Sequence, residues 1–304
     1  AEASDMSSWL LMGMPGLAYL SGIADPGWTA IGLGVGTWLN WLIVARKLRR
    51  YSANINAITV PEFYSKRYRD KSNVLNAISA LVIIVFFIPY TASGFAACGK
   101  LFNSLFGVNY TVAMLVSAAV IVGYTIMGGF RAVSTTDLVQ SIVMTVALVV
   151  VVCFGISKAG GMDAVMENAK SLAGYFTMTA SHNVETGTAT PYGFLTIIST
   201  MAWGLGYFGM PHILLRFMAI KDEKKLVISR RIATIWVFIA MSVAIFIGVV
   251  GLGMTKAGAL DVLEGSASET VIVKIAGLIS QQGVLPAIVA GLILAGILAA
   301  TMST

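Results

Sequence analysis

The chain has 304 residues, of which 57% are hydrophobic and 11% charged, and its mean hydropathy is +0.84. Soluble domains carry about 25% charged residues, so this composition excludes a soluble enzyme, a disordered chain and a nucleic-acid-binding domain. The net charge of +6 is therefore read by position, as a record of membrane orientation.

Eight stretches lack Asp, Glu, Lys and Arg altogether: 6–24, 26–45, 72–99, 101–130, 138–157, 186–215, 232–255 and 275–304. Each approaches or exceeds the ~20 residues that a helix needs to cross a bilayer. Membrane strands would leave alternating segments of about ten residues instead. The expectation is an all-α, multi-pass membrane protein with eight crossing helices. The chain starts at Ala1 rather than Met, and its last stretch runs into Thr304 with no basic stop. Further sequence is expected at both ends. Cys98 and Cys153 lie in apolar runs and read as small core residues rather than a disulfide or metal framework.

The loops between these stretches divide by charge. Arg46, Lys47, Arg49, Arg50, Lys66, Arg67, Arg69, Lys71, Arg131, Arg216, Lys221, Lys224, Lys225, Arg230 and Arg231 fall on one side, which is 15 of the 20 basic residues. The positive-inside rule assigns that side to the cytoplasm, and anionic lipid suffices as its partner. In the loop 46–71, Thr59-Val60-Pro61-Glu62 predicts a capped start to a short surface helix running to Tyr68. On the outer side, Ser266–Ser280 carries Val271, Val273, Ile275 and Leu278 on one stripe and predicts a lid-like helix.

Two stretches are built to break. The first contains Ser7, Ser8, Gly13 and Pro15; the sixth contains Trp203-Gly204-Leu205-Gly206-Tyr207-Phe208-Gly209-Met210-Pro211. Each helical glycine costs about 1 kcal/mol and each proline about 3. Lipid cannot satisfy unwound backbone, so a break persists only where it lines a cavity. Interrupted helices at matching positions of two repeats point to the binding site of a secondary transporter. Gly32 and Gly36 form a GxxxG pair, which reads as close helix packing. Hydrolase, zinc-protease, Walker A and CxxC signatures are absent. The two histidines, His182 and His212, supply no catalytic pair for an intramembrane enzyme. A channel is disfavoured by the lack of a filter repeat.

The stretches Ser4-Asp5-Met6-Ser7-Ser8-Trp9, Trp203–His212 and Ile297–Thr304, together with Gly128–Ser134 and Thr136-Asp137, resemble the sodium/solute symporter family. The resemblance runs in order along the chain. It implies a LeuT-like inverted-repeat transporter core, with one family helix before the core and core helices nine and ten lying outside this sequence. Residues 1–157 would form the first five-helix repeat and 192–304 part of the second, within a single transmembrane domain.

It further implies sodium-coupled import of a small solute, L-proline first, through a plasma (inner) membrane, with no organic cofactor, nucleic acid or obligate protein partner. Another amino acid, a sugar or sialic acid is the alternative cargo. Sodium is a hard cation and takes oxygen ligands. The implied ones are the carbonyls of Ala3, Met6 and Ala300 and the hydroxyls of Ser303 and Thr304. Asp5 is implied in sodium coupling and Asp137 in a secondary role. Ser134 with Asp137 also reads as an N-cap with an acid at the third helical position. Ser7, Trp9, Tyr90, Trp203 and Tyr207 match positions on the substrate pocket, and Trp203 and Tyr207, four apart, share a helix face. The chain departs from the proline-carrying members at Ser8, where Gly is frequent, and at Met210, where Gln is frequent.

Overall fold

The computed structural model describes residues 9–183 and 186–302, leaving aside the side chains of 131, 132 and 299–302. The first stretch enters as a π-helical turn, Trp9–Gly13, followed by α1 (Met14–Ser21) with Pro15 in its first turn. Proline there loses no hydrogen bond, because the first amides of a helix have no partner. The second stretch is a continuous rod, α2 (Ala24–Asn54), with a π turn at Trp41–Ala45. At 1.5 Å per residue such a rod is about 46 Å long, against a hydrocarbon core of about 30 Å. The excess is the basic end, Arg46–Asn54, so the first nine residues of the expected 46–71 loop continue the helix.

The capped surface helix is present as α3 (Val60–Arg67). The Thr59 hydroxyl accepts from the Glu62 amide at 3.3 Å, and the Glu62 carboxylate accepts from the Ile58 amide at 2.8 Å. The Lys66 ammonium and the Ile58 amide hold the Glu62 carboxyl below the usual range. α4 (Val74–Phe106) follows, then α5 (Tyr110–Phe130) and α6 (Val133–Lys158). The last two are divided at Gly129, whose φ of 55° lies in the left-handed region that glycine tolerates. Outside the spans lie α7 (Met162–Ser171) and a small hairpin of β1 (Ala180–His182) with β2 (Ala189–Pro191). The sequence carried no expectation of that hairpin.

The sixth stretch breaks where expected. α8 (Phe194–Phe208) tightens into a 3-10 helix from Ala202, stops at Gly209, and resumes as α9 (Pro211–Ala219). α10 (Lys225–Lys256) then runs through the centre and packs on α1, α2, α6 and α7. Its buried face includes Val237, Met241, Ala244 and Ile247. Beyond it come a 3-10 turn, Gly265–Thr270, then α11 (Val271–Ser280) and α12 (Val284–Met302). α11 is not a loosely laid lid. Val271, Ile272, Val273, Ile275, Ala276 and Ile279 are buried, so it belongs to the core. The Tyr19 hydroxyl pins this outer layer, meeting Thr255 at 2.9 Å and accepting from the Leu263 amide at 3.2 Å.

Of the eight expected spans, α2, α4, α5, α6 and α10 are long and apolar enough to cross a membrane. The sixth is split, α12 is shorter, and the first is described only from Trp9. The GxxxG pair does pack closely. A Cβ on Gly32 would lie 2.5 Å from the Met201 carbonyl oxygen, and one on Gly36 would overlap the Gly204 carbonyl. Gly36→Val should therefore lower the thermal midpoint of the purified protein, with an overpacking cost of about 1–3 kcal/mol. Gly123→Ala, where an added Cβ meets nothing within 4 Å, should leave the midpoint close to the parent. Equal midpoints for Gly36→Val and the parent would refute the contact.

Candidate substrate cavity

A cavity of about 420 Å³ opens where the π turn before α1, α4 and the end of α8 meet. Its size lies within the range of about 300–1,000 Å³ common to small-molecule sites. Trp9, Tyr90, Trp203 and Tyr207 all line it. These are the expected pocket residues that fall within the described chain. Trp9 and Trp203 meet edge to face with ring centroids 4.7 Å apart. Tyr207 is 2% exposed, while Trp203 is 46% exposed and forms an accessible wall. Met12, Leu33, Met210 and Met241 complete an apolar floor.

Both aromatics lie in the 3-10 segment, where at three residues per turn side chains four apart do not share one face, so Trp203 and Tyr207 reach the cavity from different angles. The 3-10 winding of Ala202–Phe208 ends at Gly209, and the buried Asn40 amide donates to the Tyr207 carbonyl at 2.8 Å. That bond satisfies a carbonyl that the break removes from the helical ladder. Asn40 carried no sequence signal beyond being a polar residue in the apolar stretch 26–45. Behind the wall, the Tyr90 ring stacks on His212, with centroids 5.8 Å apart and planes 19° from parallel. Phe87 meets the same imidazole edge-on at 5.6 Å.

Two charged residues line the cavity among its described walls, and sequence reasoning passed over both. Lys100 Nζ donates to Glu269 Oε2 at 2.6 Å, joining α4 to the 3-10 turn before α11. Their side chains are 39% and 38% exposed. The usable signal was Lys100 itself, the single charge between the stretches 72–99 and 101–130.

Asp137 lies elsewhere. It sits on α6 in a second cavity of about 470 Å³, with Trp41, Phe130, Ser134 and Trp236. Arg216 Nη2 donates to its Oδ2 at 2.5 Å, and the two side chains are 11% and 6% exposed for Arg216 and Asp137. Ser134 lies inside α6 rather than at its cap. The buried cation, not an N-cap, is what Asp137 meets. Removing one partner of such a buried pair strands the other charge, at about 3–5 kcal/mol. Arg216 Nη1 also donates to the His212 carbonyl at 2.7 Å, so the pair is tied to the residue stacked behind Tyr90.

The remaining expected residues, Ala3, Asp5, Met6, Ser7, Ser303 and Thr304, together with Ser8, lie outside the described residues, and Ala300 is described only as part of the α12 backbone. The π turn beside Trp9 is a local departure of the kind that clusters at functional sites.

A sequence profile of the sodium:solute symporter family matches residues 1–304. The sodium/proline symporters of Salmonella typhimurium and Escherichia coli are each 42% identical over the whole chain. That of Staphylococcus aureus is 38% identical. The chain spans 58% of the length of the first two and 56% of the third. A substrate-bound, outward-open Na+-coupled sialic acid symporter superposes on 98% of this chain and 62% of its own, with a TM-score of 0.68 at 16% identity. The fold is therefore the LeuT-like one that the sequence motifs imply. With its whole length covered by the profile and by relatives of about 40% identity, this multi-pass membrane chain belongs to the sodium:solute symporter family.

Proposed function

We propose that the protein is a sodium-coupled secondary transporter that imports L-proline across the plasma membrane by alternating access. One observation carries this reading: Trp9, Tyr90, Trp203 and Tyr207 converge on one cavity beside the interruption between α8 and α9. Flat aromatic walls suit a pyrrolidine ring, and each such ring offers contact area with little entropy to lose. The sodium/proline symporters that match the whole chain support the same cargo. Residues 1–157 and 192–304 act as the two repeats that rock about the site, and the basic end faces the cytoplasm. Sodium is carried as a second substrate. Its ligands are the carbonyls of Ala3, Met6 and Ala300 and the hydroxyls of Ser303 and Thr304, with Asp5 coupling the ion and Asp137 secondary on the release side. The chemistry is non-covalent throughout.

A second reading keeps the machine and changes the cargo. Met210, one of the positions that depart from proline carriers, lines the cavity. A thioether there supplies a polarisable apolar surface where an amide would bond the solute. Uptake of a panel of labelled solutes, with and without a sodium gradient, separates the two readings.

Shortening Trp203 removes apolar contact worth about 1–3 kcal/mol, or roughly 5- to 150-fold in affinity. Trp203→Ala should raise KM for proline at least about tenfold, with sodium binding in the absence of proline little changed. A normal KM per membrane-inserted molecule would remove Trp203 from the site. Removing the hydroxyls of both Ser303 and Thr304 with Ala should raise the sodium concentration for half-maximal uptake well beyond any change in expression. Unchanged sodium dependence would overturn the ligand assignment. The exposed Lys100–Glu269 pair is of the kind worth at most about 1 kcal/mol. In a protein lacking Cys98 and Cys153, Glu269→Gln should therefore speed external labelling of a cysteine at Ala97 by about two- to fivefold. No acceleration would show that the pair does not restrain the mouth.

A further inference from the structure

At the basic end, a groove of about 490 Å³ runs between α2, α3 and the segments flanking the break in the sixth span. Its floor is apolar: Ile43 and Leu48 from α2, Phe208 from the end of α8, and Leu214 from α9. Its rim is cationic and aromatic, with Lys47, Arg67, Tyr51 and Tyr64. Apolar floor and charged rim are ordered along α2. Ile43 and Lys47 are one turn apart, about 6 Å along the axis, in the direction that leaves the membrane.

Four of the cations at this end have a carboxylate partner among the described residues. Arg50 donates to Glu223 at 2.5 and 2.7 Å, and Arg46 lies 3.6 Å from the same carboxylate. The hydrogen bond from Arg50 holds the Glu223 carboxyl below its usual range. Lys66 pairs with Glu62 at 2.6 Å, and Arg216 with Asp137. Lys47 and Arg67, the two cations that line the groove, have no carboxylate partner among the described residues. Arg67 is nevertheless held in place, because its guanidinium lies over the Tyr51 ring at 4.6 Å. A stacked guanidinium keeps its in-plane N–H donors free for a phosphate. Tyrosines at this depth are the residues that sit at headgroup level.

We propose that this groove binds one anionic phospholipid, with the phosphate between Lys47 and Arg67 and an acyl chain along Ile43, Leu48, Phe208 and Leu214. Charge complementarity selects the anionic headgroup, and the apolar floor selects a molecule with a tail over a free phosphate. Basic pockets between helices on the cytoplasmic side are suited to such lipids. The bound lipid touches both Phe208 and Leu214, so it bridges the two sides of the break that shapes the substrate cavity. The proposal does not depend on which solute is carried.

Native mass spectrometry of the purified full-length protein, titrated with phosphatidylglycerol, phosphatidylcholine or glycerol 3-phosphate, tests it. Phosphatidylglycerol should bind in preference to phosphatidylcholine, and millimolar glycerol 3-phosphate should not displace it. Losing two cations at the surface, in Lys47→Gln with Arg67→Gln, should weaken phosphatidylglycerol binding by roughly 30-fold. The same loss at Arg69 and Lys71, outside the groove, should have little effect. If the double variant fails to fold, Lys47→Gln alone should cost about fivefold. Undiminished binding by the groove variants would overturn the proposal. So would an equal loss in the Arg69/Lys71 variant, which would indicate diffuse attraction. Displacement by glycerol 3-phosphate would replace the lipid with a soluble phosphate and likewise overturn it.

Discussion

The approach of α2 to the end of α8, backbone against backbone, is the constraint on which the site depends. Gly32 and Gly36 present no side chain, so the carbonyls of Met201 and Gly204 lie where a Cβ would otherwise stand. That proximity brings Asn40 within reach of the Tyr207 carbonyl. The uncoiled turn then costs less, because an amide inside the protein replaces the missing helical donor. Trp203 and Tyr207 face the cavity as a result, and Trp9 closes against Trp203. The aromatic cavity wall thus begins with an absence of side chains on the neighbouring helix.

How far this could be read from the sequence varied with the range of the interaction. Local signals were legible. The cap at Thr59 and Glu62 follows from residues three apart, and the break at Gly209–Pro211 follows from helix-breaking residues in one run. The aromatic pocket residues were legible through family motifs, since an isolated Trp in an apolar helix reads equally as packing. Pairings across the fold were not. Lys100 and Glu269 are 169 residues apart, and Asp137 and Arg216 are 79 apart. No periodicity connects such partners. The helical extension through Asn54 was missed because a run of basic residues marks the membrane boundary without ending a helix.

The structure also joins the cavity wall to the basic end through a short physical chain. Tyr90 stacks on His212, the His212 carbonyl accepts from Arg216, and Arg216 pairs with Asp137. His212 and Arg216 both lie on α9, a separate rigid piece beyond the break. Movement of that piece would be felt at the aromatic wall and at the ion pair together. α9 is therefore the element that touches both the aromatic wall and the buried ion pair.

The π turn at Trp41–Ala45 has a consequence for how this lineage can vary in length. Such a turn is an α-helix that has accommodated one additional residue. Trp41 there packs on Phe217 with centroids 4.5 Å apart, which anchors the wide turn to α9. Deleting a single residue from it would restore regular winding at nearly the same phase, because the wide turn spreads one extra residue over about the same rotation. A deletion in the regular helix before it would instead rotate everything downstream by about 100°. In that second case Arg46 and Arg50 would swing out of phase with Glu223, and Lys47 would leave the groove. The turn is therefore the place in α2 where a one-residue gap acts as a local loss, and elsewhere along the rod the same gap would act as a rotation of an entire protein face.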